Sequence, residues 1–383
     1  MTPAKIPVTE REQHDVLVVG GGIAGISAAV SAARAGADVL LLERGVLLGG
    51  LATAGLISWY EPLCDDRGNQ VIRGIAEELI RLAVACGFDN LPSEWGGESG
   101  NAPRNHRFSA FYSPTFFSLA LDRFLTESGA HLLLDVHATH PMMDGGHCCG
   151  LLAETAAGRE FFPAKIVIDA TGDATVCHRA GIPCVTGENY LTCIAHDMTL
   201  ESAKRFSQDG DLAAFRHWRA VGSDYAGNGH PTDLPPFHGD SAEAITDFVL
   251  RGHDLLLRSY AETDKNTRDI LTLPTMPQLR TVRHILGDSI FTGDPDAPPK
   301  DSIGRVGDFR RAGPTYEIPY SCLHRSGFDN LLAAGRIIST DREGWEITRV
   351  IPSCALTGEA AGHAAAYAAR SGKAVADGWE ALS

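Results

Sequence analysis

Gly20, Gly22 and Gly25 follow directly on the apolar run 16–19 and open an alanine-rich segment, and an acid, Glu43, closes the next apolar run 18 positions after Gly25. This is the GxGxxG spacing of a turn between a strand and a helix. In such a turn the first glycine permits the tight reversal, the second lets backbone approach a pyrophosphate, and the third lets the helix sit on the strand. The helix start adds unpaired N–H groups and the positive end of the helix dipole, both of which favour an anion. Glu43 stands where a carboxylate accepts hydrogen bonds from ribose hydroxyls. The chemistry implied is dinucleotide binding.

Those residues work only if a βαβ unit holds them. Residues 16–19 and 37–42 read as strands, with a helix over 23–35 between them. Both strands are apolar throughout and so need cover on both faces, as in a parallel sheet with crossover helices. Ala28, Ala29, Ala32 and Ala33 allow that helix to lie close to the sheet. Further along, the pattern predicts helices over 71–86 and 113–128 separated by a loop over 90–105, and a strand over 131–136. A hairpin of 150–155 with 160–163 and a third buried strand over 165–170 follow. From 187 to 320 aromatic, His and Pro residues increase and the pattern loosens, with a helix over 242–261. Residues 331–334 and 353–371 return to the first style as a strand and a small-residue helix.

The chain has 383 residues and a formal net charge of −15, from 33 Lys plus Arg against 48 Asp plus Glu. No broad basic surface is available for a phosphate backbone, so no nucleic-acid partner is expected. The longest apolar runs are strand-sized, which implies no membrane partner and a cytoplasmic location. The nine cysteines include no CxxC pair, so no disulfide framework or metal site is expected. Adjacent Cys148 and Cys149 read as ordinary thiols of a hairpin.

The stretch VLVVGGGIAGISAAVSAARAGADVLLLERGVLLGGLATAG, from Val16 to Gly55, resembles the opening of the FAD-dependent oxidoreductases related to fumarate reductase, thiazole-synthesis and glutathione-reductase flavoproteins. The resemblance implies FAD, because a second glycine pair, here Gly49 and Gly50, follows the acid and runs beside the ribityl chain and flavin ring. Three further segments resemble the same family: IVIDATGDATVCHRAG with Ala170, Thr171 and Gly172; NLLAAGRIIS with Gly335 and Arg336; and RVIPSCALTGEAAGHAAAYAA, whose helix start points at the flavin. Arg44, Val136, Ile351 and Ser353 join these as implied cofactor contacts. The glutathione-reductase branch has an acid where Arg336 stands, so that ribityl contact does not carry over. No histidine lies between Glu43 and Tyr60, so FAD is expected to be noncovalent, and no later GxGxxG implies a nicotinamide domain. The fold expected is α/β: a Rossmann-like FAD-binding domain of residues 1–75, 113–186 and 321–383, a helix-and-loop insertion at 76–112, and a mixed α+β substrate domain at 187–320.

PTMPQLRTVRHILGDSIFTGD resembles the family's flavin-proximal entry into the substrate domain. It nominates Arg283, then Arg280, to hold an anionic group bidentately, and His284 to exchange a proton. His106, Arg107 and Tyr112 form a second polar group, and Tyr316, Tyr320, Arg342, Glu343 and Arg349 a third. Cys354, at the last helix start, reads as a packing residue. The function implied is hydride exchange between flavin N5 and a small organic substrate, with the electron donor or acceptor open. The alternatives are a flavoprotein without net redox turnover, such as an isomerase, and an RNA-modifying flavoenzyme, against which the acidic balance counts.

Overall fold

The computed structural model describes residues 6–97, 107–296 and 298–382. Strand β1 (His14–Val19), helix α1 (Ile23–Arg34) and strand β2 (Val39–Leu42) make the expected crossover, with Val16 paired to Val39 and Val19 to Leu42 in parallel register. Residues 16–19 and 39–42 are all buried, as strands covered on both faces must be. Helices α2 (Ile75–Cys86) and α3 (Pro114–Glu127) bring Ile75, Leu79, Phe117 and Leu121 into the core that α1 also faces. Strand β3 (His131–Leu133) adds to β2 in parallel.

Strands β4 (His137–Asp144), β5 (His147–Thr155) and β6 (Gly158–Asp169) then form an antiparallel meander. Here the structure corrects the sequence reading. Residues 160–163 and 165–170 do not belong to two strands; one strand of 12 residues runs through both. Pro163 closes the antiparallel ladder, opposite Gly150, while along the other edge Thr9 and Glu10 pair in parallel with Glu160 and Phe161 and His14 pairs with Ala164. Proline is accommodated there because its missing N–H falls at the end of the antiparallel ladder.

Strands β7 (Thr192–Thr199) and β8 (His217–Gly222), helix α4 (Ala242–Arg258) and strand β9 (Arg268–Thr272) make a separate layer, a sheet in the order β8-β7-β9 with α4 packed on it through Phe248, Gly252 and Leu256. The hairpin of β10 (Ser302–Gly307) and β11 (Thr315–Pro319) is different. Its Val306, Tyr316 and Ile318 enter the same core that α1, α2 and α3 face, although the sequence pattern groups 302–319 with the substrate part. Strand β12 (Leu331–Ala333) pairs in parallel with β6, completing the order β3-β2-β1-β6-β12.

The last helix, α5 (Ile351–Ser371), lies directly on α1. A Cβ on Gly358 would stand 2.2 Å from the Ala24 carbonyl oxygen, and one on Gly362 2.1 Å from that of Ala28. Glycines at i and i+4 face alanines at i and i+4, so the two backbones touch. The Ser31 hydroxyl adds a hydrogen bond to the Glu359 carbonyl (2.8 Å). This contact brings the starts of α1 and α5 together at the carboxyl ends of the parallel strands, where open α/β sheets bind ligands.

Candidate functional site

The three glycines of the first turn do different things. Gly20 has φ +105°, and a Cβ there would meet the Ala170 carbonyl oxygen at 2.5 Å; one on Gly25 would meet that of Gly20 at 1.8 Å. Both are required by the fold itself. Gly22 has an ordinary φ of −71° and nothing within 4 Å of its Cβ position, so the fold does not demand glycine there. It is the N-cap of α1, no side chain caps that helix, and the space in front is open. A bare helix start facing room kept free of side chains is what a pyrophosphate needs.

The second glycine pair lies against the first. The Gly49 N–H donates to the Gly21 carbonyl (2.8 Å), and the Cβ position of Gly50 is 3.1 Å from the Gly22 Cα. The Glu43 carboxylate accepts from the N–H groups of Gly21 and Gly45, both at 2.6 Å, so it is held at the edge of the cradle. Val136 donates its N–H to the Glu43 carbonyl (3.0 Å) and is buried, while Arg44 is exposed. Tyr112 anchors the loop after Gly50, its hydroxyl donating to the carbonyls of Ala52 (2.8 Å) and Ile57 (3.0 Å).

The other segments close the cleft. Ala170 donates to the Val19 carbonyl, and Thr171 turns its N–H and hydroxyl onto Asp169. Gly172 gives its carbonyl to Arg336 Nε (2.6 Å), and burial lowers the Arg336 pKa. Gly335, with φ +82°, donates to the Thr357 hydroxyl (3.0 Å), and its Cβ position is 2.8 Å from the Ala24 methyl. Helix α5 starts at Ile351 with Pro352 in its first turn and no capping side chain, and the Ser353 hydroxyl is buried without a partner among the described residues. An uncapped start with an orphaned hydroxyl fits an electron-rich group. Together these residues fit FAD: the open space at Gly22 for its pyrophosphate, Glu43 for its ribose, the start of α5 for its ring.

Around that start stand the charged candidates. The backbone of Arg280 is fixed by its N–H to Asn189 Oδ1 (2.7 Å), yet its guanidinium makes no hydrogen bond or ion pair among the described residues. Burial, with Arg349 beside it, lowers its pKa to about 10. Arg283 spends its donors on the carbonyls of Asp240 (3.0 Å) and Asp173 (3.4 Å). His284 is buried with Nδ1 2.8 Å from the Ile285 carbonyl oxygen and its ring against Trp345, and burial lowers its pKa. The three nominated residues therefore do not act from one place, and Arg280 alone has an uncommitted charge.

Of the remaining nominations, Arg107 pairs with Asp66 (2.9 Å), Tyr316 bonds Arg311 and Asp308, and Tyr320 donates to the Val375 carbonyl. Glu343 pairs with Arg310 and Arg342 with Glu188, while Arg349 pairs with Glu346 beside Arg280. Cys354 is half-buried near Gly335, and burial raises its thiol to about 11. His106 lies outside the described residues.

Residues 15–271 and 294–377 match the family described as FAD dependent oxidoreductase. The chain belongs to this family. Its cofactor is FAD. It is 26% identical over 180 residues to the digeranylgeranylglycerophospholipid reductase of Methanocella arvoryzae, covering 45% of this chain and 43% of that one. It is 46% identical over 99 residues to the 4-oxocyclohexanecarboxylate 2-dehydrogenase of Sinomonas cyclohexanicum, covering 22% of this chain and 17% of that one. The matches thus span less than half the length of these curated relatives. The fold is similar to that of a geranylgeranyl bacteriochlorophyll reductase-like protein from Thermoplasma acidophilum, with a TM-score of 0.50, 15% identity, and 97% of this chain and 82% of that one covered. No helix among the described residues is long and apolar enough to cross a membrane.

Three further polar residues escaped the sequence reading. Gln278 donates to the carbonyls of Gly55 (2.7 Å) and Ile194 (2.9 Å), tying the loop after the second glycine pair to β7. It also walls a cleft of about 220 Å³ with Phe248, Val249, Met276 and Pro277. His196, buried on β7, lies 3.3 Å from the Ser58 hydroxyl with its Nδ1 unpartnered among the described residues, and burial lowers its pKa to about 4. Glu61 is raised to about 7 by burial, against the pull of Trp59, Arg107 and Arg349. A signal existed for it: a lone acid in the apolar run LISWYEPL.

Proposed function

We propose that this protein oxidises or reduces a small organic molecule that carries an anionic group, and that Arg280 holds that group. The observation that supports this most directly is the Arg280 guanidinium, half-buried and without a partner beside Arg349, itself one residue before the N-cap of α5. A half-buried cation loses part of its hydration, and an arriving carboxylate offsets that loss. Bound FAD supplies the two-electron acceptor or donor that takes up or delivers a hydride. Gly22, Glu43, Gly49 and Gly50 hold the nucleotide end without a covalent link, and the start of α5 with Ser353 faces the ring. The layer of β7, β8, α4 and β9 serves as the substrate side, with Gln278 as the tie between the two, and Arg283 holds the chain just after Arg280 through the carbonyls of Asp173 and Asp240. A relative named for 4-oxocyclohexanecarboxylate agrees with a carboxylate substrate. The nine free cysteines suit a cytoplasmic setting.

The test uses benzoate as a carboxylate probe and the flavin absorbance of the holoprotein as readout. Benzoate perturbs the wild-type spectrum saturably, and Arg280→Ala loses at least tenfold in affinity, as expected for removal of a charge-assisted pair. Equal affinity of the variant for benzoate would remove Arg280 from substrate binding.

A further inference from the structure

We infer that Asn189 is the positioning residue of the anion site, holding the backbone of Arg280 so that its guanidinium meets the anionic group from a fixed base. The inference rests on the reading of Arg280 above and adds to it the residue through which Arg280 is placed. Arg280 lies in no strand: it falls between β9 (Arg268–Thr272) and the short strand Arg283–Ile285. Its backbone N–H therefore has no ladder partner, and a side chain supplies one.

The Asn189 carboxamide makes four hydrogen bonds, all to backbone. Its Oδ1 accepts from the N–H groups of Arg280 (2.7 Å) and Thr281 (3.0 Å), and its Nδ2 donates to the carbonyls of Thr281 (2.5 Å) and Phe237 (3.1 Å). Two accepted and two donated bonds are the full capacity of the group. A carboxylate in its place would set an oxygen against both carbonyls, and an apolar side chain would leave two N–H groups and a carbonyl without this partner. Asn189 is itself buried and fixed, its N–H donating to the Phe237 carbonyl (2.7 Å) and its carbonyl accepting from the Phe237 N–H (2.8 Å).

The neighbours of Arg280 all hold the chain as well. Gln278 donates to the carbonyls of Gly55 and Ile194 and accepts from the Ile194 N–H (2.8 Å). Leu279 and Val282 are buried in one apolar cluster with Phe237 and Phe248. The Thr281 hydroxyl donates to the Glu188 carbonyl (2.8 Å). From 278 to 282, each side chain but that of Arg280 anchors the segment. An arginine that takes up an anion loses side-chain freedom, and a backbone already fixed confines that loss to the side chain. Asn189 thus acts on the anion through Arg280 and touches no ligand itself.

The test combines amide hydrogen exchange with a double-mutant cycle on benzoate binding, both in the holoprotein. In Asn189→Ala the amides of Arg280 and Thr281 are expected to exchange about tenfold faster than in the wild type, as loss of one hydrogen bond implies. Benzoate affinity is expected to fall by about tenfold, within the range seen for residues in direct contact. Added to Arg280→Ala, the same change should weaken benzoate no further, because Asn189 acts only through Arg280. An equal loss in both backgrounds would show that Asn189 supports the fold in general and would overturn the proposal. Unchanged exchange, or unchanged affinity in Asn189→Ala while Arg280→Ala binds weakly, would overturn it too and leave the reading of Arg280 standing. Wild-type affinity in Arg280→Ala is the separate result that sinks the reading of Arg280, and the positioning role falls with it. Should Asn189→Ala fail to fold, Asn189→Ser, which keeps one hydroxyl for the same backbone, takes its place in both measurements.

Discussion

Gly22 and Gly25 stand three residues apart in one motif and predict opposite phenotypes. Aspartate is a favourable N-cap, and Gly22 is an N-cap with an ordinary φ and open space, so Gly22→Asp leaves the apoprotein as stable as wild type or more so by roughly a few tenths of a kcal/mol. The same carboxylate stands where the pyrophosphate approaches, so the variant is expected to purify without flavin. Gly25→Ala instead drives a methyl toward the Gly20 carbonyl oxygen at 1.8 Å and is expected to lose the fold itself. A Gly22→Asp protein with normal flavin content, or a Gly25→Ala protein that melts like wild type, would reassign these roles. Glu61 adds a dependence on pH. Its folded carboxyl is raised from 4.5 to about 7, so the folded chain holds more protons than the unfolded one between those values. Stability is therefore full below about 4.5, falls as pH rises toward 7 by up to about 3 kcal/mol at roughly 1.4 kcal/mol per pH unit, and is flat above. Glu61→Gln is expected to remove that fall, which urea midpoints measured from pH 5 to pH 8 will show. An unchanged slope in the variant would place Glu61 in water. The motif glycines were legible because each has a spacing rule; Glu61 left only the trace of a lone acid in an apolar run, because its burial comes from chain segments far apart in sequence.

At the scale of elements, the packing of α1 on α5 controls the cleft from a distance. Gly358 and Gly362 let the two backbones touch at Ala24 and Ala28, and neither carbonyl can swing away as a side chain would. Gly358→Val is expected to cost about 3 kcal/mol or more, the upper part of the range for overpacking, and to lower flavin content because the helices part where both present their starts. A variant with the wild-type urea midpoint would show that the helices can separate freely. Elements with one environment were readable from pattern alone: β1 and β2 are apolar because both faces are covered, and α1 is alanine-rich because α5 lies against it. Elements with two environments were not. Strand β6 reads as two pieces because Pro163 interrupts it, while in space Pro163 only ends its antiparallel ladder and the strand runs on between two parallel partners. The hairpin of β10 and β11 carries the loose composition of the region around it, but its buried face joins the core that α1 faces. Sequence periodicity reports that a face is covered, not which element covers it.

At the scale of the whole molecule, the FAD cleft is assembled from pieces distant in sequence: residues 20–50, 170–172 and 335–353. A ligand that touches all of them stabilises their common arrangement and not one loop, so FAD is expected to act on global unfolding. Binding to the folded state alone contributes about 2.7 kcal/mol at a free concentration 100 times Kd, and the melting temperature should rise with added FAD by several degrees while the transition stays cooperative. The link holding the cofactor is also open to test. Histidine is absent between Glu43 and Tyr60, and the cysteine near the ring end of the cleft, Cys354, is pushed to about 11 by burial, which leaves it a thiol and a poor nucleophile toward the ring. Cofactor held by backbone N–H groups, helix starts and Glu43 has to leave when those elements unfold together. Acid or heat denaturation followed by centrifugation is therefore expected to leave intact FAD in the supernatant and colourless protein in the pellet. Yellow protein in the pellet after washing in denaturant would show a covalent bond that these residues do not provide.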